Sequence, residues 1–478
     1  MDTTHRSAAS GRRRGGGGPE HGADGEDAVT KPVAEPVTVD LMDADLLRDP
    51  FQGYSRLRER SPMLQVAFGG AGSPLWLVTR YEDVRSVLGD RRFVNSPANV
   101  PGLGLKDVRE ATVRSMGVAD EYAPYLLSTV LDADGDDHLR LRRLVARTFT
   151  PRRVQELLPR VQEITGRLLD RLPAEDGVVD LVEHFAYPLP ITVICELVGI
   201  PEEDRGLWRV WGAALLRQDE PEGIGAAVAG IVDYVSELVR RRRAEPADDL
   251  LTALIRVHDE DGSVLSEFEL VTMVLAIVLA GHQTTAHLIG NGIVALLDHP
   301  DQLDMLRADP SGLMPGAVHE LMRWCGPVQS TRFRFATEDV VIAGRILRKG
   351  SPVQASLVSA NFDPRRFDDP HRFDITRQPD GRREAHVGFG HGLHYCLGAA
   401  LARQEAEVAF TSLLARFPNL SLAVPRDEID RARTPGVWQL GSLPVRLGPE
   451  ARREAGREAG QAAGQAAGRE AGRVAGQE

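Results

Sequence analysis

Gly388–Gly398 reads Gly-Phe-Gly-His-Gly-Leu-His-Tyr-Cys-Leu-Gly and places one cysteine, Cys396, between a glycine-rich loop and a run rich in helix-forming residues. Gly390 and Gly392 have no side chains, so their backbone is expected to lie close to a planar macrocycle. Cys396 is expected at a helix N-terminus, where unpaired N–H groups and the positive end of the dipole lower a thiol's pKa. An anionic sulfur in that position can ligate iron, so the stretch reads as a thiolate-ligated haem site. The plain alternative is a small buried cysteine with no chemistry. A c-type haem would need Cys-x-x-Cys-His and a zinc site would need further cysteines at close spacing, whereas the other cysteines are the distant Cys195 and Cys325.

Position by position, Phe389, Gly392, His394, Cys396 and Gly398 are similar to the haem-binding signature of the cytochrome P-450 family. The chain resembles the soluble bacterial members of that family from about Asp40 to Pro449. The resemblance implies a mainly α fold with small β-sheets in the family's triangular arrangement. It also implies haem b (iron protoporphyrin IX) as cofactor, with Cys396 as the iron ligand and Phe389, Gly390, His394 and Gly398 around it.

Ser266-x-x-Glu269 is a capping box that opens the longest helix pattern, Glu267 to about Leu297. This run contains Ala280-Gly281-His282-Gln283-Thr284-Thr285. The resemblance implies that it crosses the distal face of the haem, where Ala280 and Gly281 leave room for dioxygen, Thr284 hydrogen-bonds the oxygen and Thr285 supports it. The alternative is a threonine that merely bonds back to a carbonyl one turn earlier. The family commonly has an acid before this threonine. Gln283 stands there instead, and an amide orients water but cannot titrate as a carboxyl group does. Proton delivery is therefore expected through water held at Thr284, and His282, about 100° away round the helix, is not given the missing role.

His138 and Arg142 lie one helical turn apart. With Arg334 and His394 they are the set that the resemblance implies for the two haem propionates. Glu320 and Arg323, three apart on a helical face, are expected to combine with Arg372 into a buried structural ion network. The basic run Arg140, Arg142, Arg143, Arg147, Arg152 and Arg153 favours steering of an acidic ferredoxin, served in turn by an NAD(P)H-dependent ferredoxin reductase. Asp132–Asp137 has its glycine at the wrong place for a calcium loop and no closing glutamate.

The 478 residues carry a formal charge of −12, which argues against nucleic-acid binding, and 42% hydrophobic content supports a large core. Few, scattered cysteines fit a reducing cytoplasm. The apolar run Leu270–Gly281 is shorter than the about 20 residues that cross a bilayer, and Arg12–Arg14 is followed by glycines rather than an apolar signal segment, so no membrane and no export are expected. Residues 1–38 read as a disordered leader, 39–449 as the catalytic domain and 450–478 as a flexible tail, because a glycine at every fourth position weakens a helix by roughly 1 kcal/mol each. Locally, Asp49-Pro50 opens a helix over Phe51–Arg60. Leu64–Phe68 and Leu75–Thr79 form a hairpin, Tyr81–Leu88 is helical, Thr150-Pro151 starts another helix, and Val340–Ile342 and Pro352–Ser356 are strands.

These features predict a cytoplasmic, monomeric haem-thiolate monooxygenase. It hydroxylates or epoxidises a hydrophobic small molecule, and the resemblance extends to actinobacterial enzymes that tailor macrolide or ansamycin polyketides. The rivals are oxidative closure of an ether or methylenedioxy ring and a non-catalytic haem carrier, which would need neither Thr284 nor a basic surface. Specificity is expected in 95–125, 208–231, 275–281, 328–331 and Val437-Trp438.

Overall fold

The computed structural model describes residues 37–450 apart from 69–70, 108, 173–176, 216–220, 258–261, 263, 379–380 and 382–383. The arginines at 12–14, the repeat at 453–476 and nearly all of both expected terminal segments lie outside the described residues.

The organising element is the helix Glu267–Asp298, 32 residues long. Both halves of its capping box form: Ser266 N–H donates to Glu269 at 2.8 Å and Glu269 N–H donates to Ser266 Oγ at 3.2 Å. Apolar residues recur all round it rather than along one stripe, as in a helix enclosed on every side. It touches the helices Pro188–Val198, Pro221–Ala244, Pro310–Cys325 and Ala399–Arg416. By length and composition this helix could cross a bilayer, unlike the shorter apolar run read from the sequence, but 56% of its most apolar window is buried inside the protein.

The largest sheet has six strands in the order Thr38–Asp40, Met63–Phe68, Ala71–Val78, Pro352–Ala355, Arg334–Ala336 and Phe93–Val94. The first strand places ordered structure just ahead of the expected boundary, and the third begins earlier than expected because pairing runs down to Phe68↔Ala71 past an irregularity at Val66. The expected local signals hold: Asp49 accepts from Gln52 N–H at 3.1 Å, and Thr150 Oγ1 accepts from Arg153 N–H at 3.2 Å. Helices over Pro50–Arg60 and Tyr81–Gly89 follow their expected ranges closely. Gly199 closes the helix Pro188–Val198 at φ 94°, and a Cβ there would lie 2.1 Å from the carboxylate of Asp249, so only glycine fits this end.

Candidate active site

The loop before Ala399–Arg416 is tied to its own backbone. Gly390 N–H donates to Val387 O at 2.8 Å, Tyr395 N–H to Gly392 O at 3.1 Å, and Cys396 N–H to Phe389 O at 2.9 Å. Tyr395 Oη–H donates to Glu384 at 2.6 Å, and Arg403 donates to the same carboxylate at 3.0 Å while lying over the Phe389 ring. The helix begins at Ala399 with Gly398 as its cap, later than expected, so Cys396 stands two residues ahead of the cap.

That position changes the electrostatics. Burial pushes the Cys396 thiol up, against the opposing pull of the Gly398 N–H and the nearby guanidinium groups of Arg142 and Arg403, which corrects the expected lowering. Desolvation of the anion outweighs the backbone donor, and a bound metal would deprotonate a coordinating thiol outright.

The two loop glycines play different parts. A Cβ on Gly390, at φ 76°, would meet only His394 O at 3.8 Å, which leaves its outer side open to a flat group. Gly392 instead packs against the chain: at φ 74° its Cβ would lie 2.5 Å from Leu88 O. The expected approach of Gly392 to the macrocycle is thus replaced by a close contact with the backbone of Leu88 and Gly89. Gly392→Ala is expected to cost about 1–3 kcal/mol from backbone strain alone. Gly398→Ala, at φ −84° with no atom within 4 Å of its Cβ, carries no such strain and should cost less, about 1 kcal/mol at most from the weaker cap. Urea unfolding of the two variants checks this contrast.

Beside the loop the structure gathers the expected propionate set. His138 lies in Gly135–Thr148, is 1% exposed, and both of its ring nitrogens are buried without a hydrogen-bond partner among the described residues. Its ring stacks on His394 with centroids 3.9 Å apart. Burial, then Arg142 with Arg334 behind it, lowers the pKa of His138; burial, then His138, Arg334 and Arg142, lowers that of His394 to about 3. Arg142 donates to Tyr395 O, and the buried Arg334 donates to Leu88 O at 3.0 Å. Leaving buried donors unpaired costs about 1–3 kcal/mol each. Two stacked imidazoles and two guanidinium groups call for an anionic acceptor, and the carboxylates of a haem satisfy that demand. The residues therefore fit the group. Sequence reading placed Asn95 at the start of a specificity segment and missed its contact with the site: its Nδ2 lies 2.9 Å from His394 Nε2, and only the folded chain brings these distant positions together.

On the central helix, Ala280 is the one exposed residue between Leu270 and Asp298, and Gly281 and Thr284 next to it are half-buried. Thr284 Oγ1–H donates to Ala280 O at 2.8 Å and Thr285 Oγ1–H to Gly281 O at 3.1 Å, so both hydroxyls bond back one turn and keep their lone pairs. His282 turns away: its Nδ1 lies 2.6 Å from Val278 O and its Nε2 3.2 Å from Tyr187 Oη. Because a carbonyl only accepts, Nδ1 carries the proton and Nε2 accepts from Tyr187. Burial lowers the pKa of His282 to about 4.

The buried ion network forms with a different third member. Glu320 and Arg323, each 2% exposed, are joined by two 2.7 Å bonds. Arg377, not Arg372, reaches Glu320, at 3.3 Å, while Arg372 is 64% exposed and contributes only its carbonyl to Arg323. Asn361 links this network to the cysteine loop by giving its carbonyl to Arg323 and its side-chain oxygen to Val387 N–H.

The sequence profile described as Cytochrome P450 matches residues 221–437. Cytochrome P450 monooxygenase PikC of Streptomyces venezuelae is 44% identical over 426 residues, covering 88% of this chain and 97% of that protein. The 6-deoxyerythronolide B hydroxylase of Saccharopolyspora erythraea is 42% identical, covering 84% and 96%. The solved structure of the ligand-free P450 monooxygenase TamI superposes with a TM-score of 0.74 at 39% identity, covering 87% of this chain and 94% of that one. A cysteine loop of this form, set beside a buried cationic cluster and carried by chains alike over nearly their whole length, places this protein in the cytochrome P450 family of haem monooxygenases.

Proposed function

We propose that this chain uses haem b to hydroxylate or epoxidise a hydrophobic polyketide of the macrolide or ansamycin kind, with electrons from a ferredoxin and its NAD(P)H-dependent reductase. The observation that carries the reading is Cys396 on its tied loop beside Arg142, Arg334, His394 and His138, the last with both ring nitrogens buried and unpaired among the described residues, a set that matches a dicarboxylate cofactor. The hydroxylase and monooxygenase relatives support the substrate class.

When bound, haem with a thiolate ligand supplies dioxygen activation. The chain's own residues do the rest. Arg142, Arg334, His138 and His394 would hold the carboxylates, Phe389, Gly390 and Gly398 would border the macrocycle, and Ala280 with Gly281 would leave room for dioxygen. Thr284, rotated from Ala280 O, becomes a donor toward the open side, with Thr285 keeping the turn in place, and Gln283 orients water without titrating. On this account Thr284→Ala diverts electrons to hydrogen peroxide and lowers product per NADPH about 100-fold, the lower end of the range for general acid catalysis. Gln283→Ala changes the ratio little. Product and peroxide measured together check it, and coupled turnover in Thr284→Ala with uncoupling in Gln283→Ala reverses the two roles.

The ferredoxin surface we propose is the exposed set Arg143, Arg147 and Arg152. Arg140 leaves it, because its side chain is half-buried against Glu269. We further propose a cytoplasmic monomer whose catalytic unit spans 39–449. Screening macrolides and ansamycins for a shift of the haem spectrum tests the substrate class; ring closure, the second reading, would give a product lighter by two hydrogens rather than heavier by one oxygen.

A further inference from the structure

Three segments that lie far apart in the chain meet at one side chain of the central helix. Asn291, 2% exposed, falls two turns beyond Thr284 and on the same helix face. Its amide nitrogen donates to Trp438 O at 2.8 Å and to Cys325 O at 3.3 Å, and its amide oxygen accepts from Arg431 Nη1 at 3.1 Å. The two carbonyls can only accept and the guanidinium can only donate, so the amide has a single workable orientation.

Arg431 is the unusual member of this cluster. It is half-buried, and its guanidinium carbon stands 4.4 Å from the centre of the Trp438 ring. Asp298, the acid that acts on it through space, is paired with Arg426 at 3.1 Å. Burial, then Arg426, lowers the pKa of Arg431 to about 10, so it keeps its charge at neutral pH. A cation held by an amide and an indole face adds modest stability. It does fix a direction, because the planar guanidinium must cover the ring and reach Asn291 at once.

What it directs is a turn. Val437 pairs with Val328 across an antiparallel bridge, Gln329 N–H donates to Gly436 O at 2.8 Å, and Trp438 N–H donates to Pro327 O at 2.7 Å. Arg431 faces Leu440 across a second bridge at the foot of the same turn. Gln329 and Trp438 are buried, whereas their neighbours Val328 and Val437 are half-buried. From Val328 the chain runs on through Thr331, whose N–H donates to Ala355 O at 3.0 Å, to Arg334 of the cationic cluster.

We propose that Arg431, through Asn291 and the Trp438 ring, is a positioning residue that holds Val328 and Val437 in register with the Thr284 face of the central helix and so sets which bulky molecules the site accepts. The proposal rests on the haem reading above. Arg431 acts through its partners rather than on the reacting atoms.

The test uses the haem-loaded full chain, with 4-phenylimidazole as a bulky haem-binding probe and imidazole as a small one. Arg431→Met still covers the indole but loses the charge and the donor, so it should fold with a nearly unchanged urea midpoint. Its Kd for 4-phenylimidazole should rise about three- to tenfold, because a turn that is in place for only a fraction of the time weakens binding by that fraction. Imidazole should stay within about twofold of wild type. Arg431→Lys, which keeps a charge over the ring and one donor for Asn291, should recover part of the affinity. Amide hydrogen exchange at 327–331 and 436–439 should be faster in Arg431→Met, a readout that does not depend on haem chemistry. Unchanged exchange there overturns the proposal, and so does faster exchange with both azoles binding as in wild type. A lowered urea midpoint with an unchanged ratio of the two Kd values would make Arg431 a stability residue and overturn it equally. Failure of imidazole to shift the wild-type spectrum would instead strike the haem reading, and the proposal with it.

Discussion

Cys396→Ser is expected to abolish the red-shifted absorption of the reduced carbon monoxide complex and to remove substrate oxidation. The loss should exceed the roughly 10- to 100-fold typical of an outer-shell partner, because on the proposed reading the atom removed is the iron ligand itself. Some haem should stay bound, since on this reading His138, His394, Arg142 and Arg334 would hold its carboxylate edge independently of the sulfur. The residual haem would then show the spectrum of an oxygen- or water-ligated iron. A variant that keeps the thiolate spectrum would remove Cys396 from the site. The buried Cys195 and Cys325, whose thiols burial raises to about 12, are poor substitutes.

Glu320→Ala should be the most damaging substitution away from the haem. It strips the buried Arg323 of its carboxylate, and an uncompensated buried charge costs about 3–5 kcal/mol. Because Asn361 joins this network to Val387 at the head of the cysteine loop, loss of haem should accompany the loss of stability. Arg377→Ala should be intermediate. Arg372→Ala, at a surface position whose pair with Asp374 is 3.8 Å long, should cost under about 1 kcal/mol. Urea unfolding and haem content measured across the three variants check this order, and an Arg372→Ala as damaging as Glu320→Ala would restore the arrangement expected from sequence.

The difference between those two arginines shows what a sequence can carry. Local signals were legible: the capping box at Ser266 and Glu269, the cap at Thr150, and a cysteine between glycines and a helix each depend on neighbours a few residues away. Arg372 and Arg377 lie on one short loop, and which of them turns inward depends on how that loop crosses a helix more than fifty positions earlier. Asp132 and Arg332 are 200 residues apart, and nothing in either local pattern announces their contact. The thiol was misread for a related reason. A position near a helix start suggests a lowered pKa, but burial is a property of the assembled fold, and here it outweighs the Gly398 N–H and the guanidinium groups of Arg142 and Arg403.

The most direct test of the central claim is turnover under isotopically labelled dioxygen. The protein, loaded with haem, is supplied with NADPH, a ferredoxin and its reductase, and a macrolide or ansamycin that shifts its spectrum, and the product is weighed by mass spectrometry. A monooxygenase acting through Cys396 predicts one labelled oxygen atom from dioxygen in each product molecule and none from water, with no product from Cys396→Ser. Oxygen drawn from water, or turnover that persists in Cys396→Ser, would contradict the account.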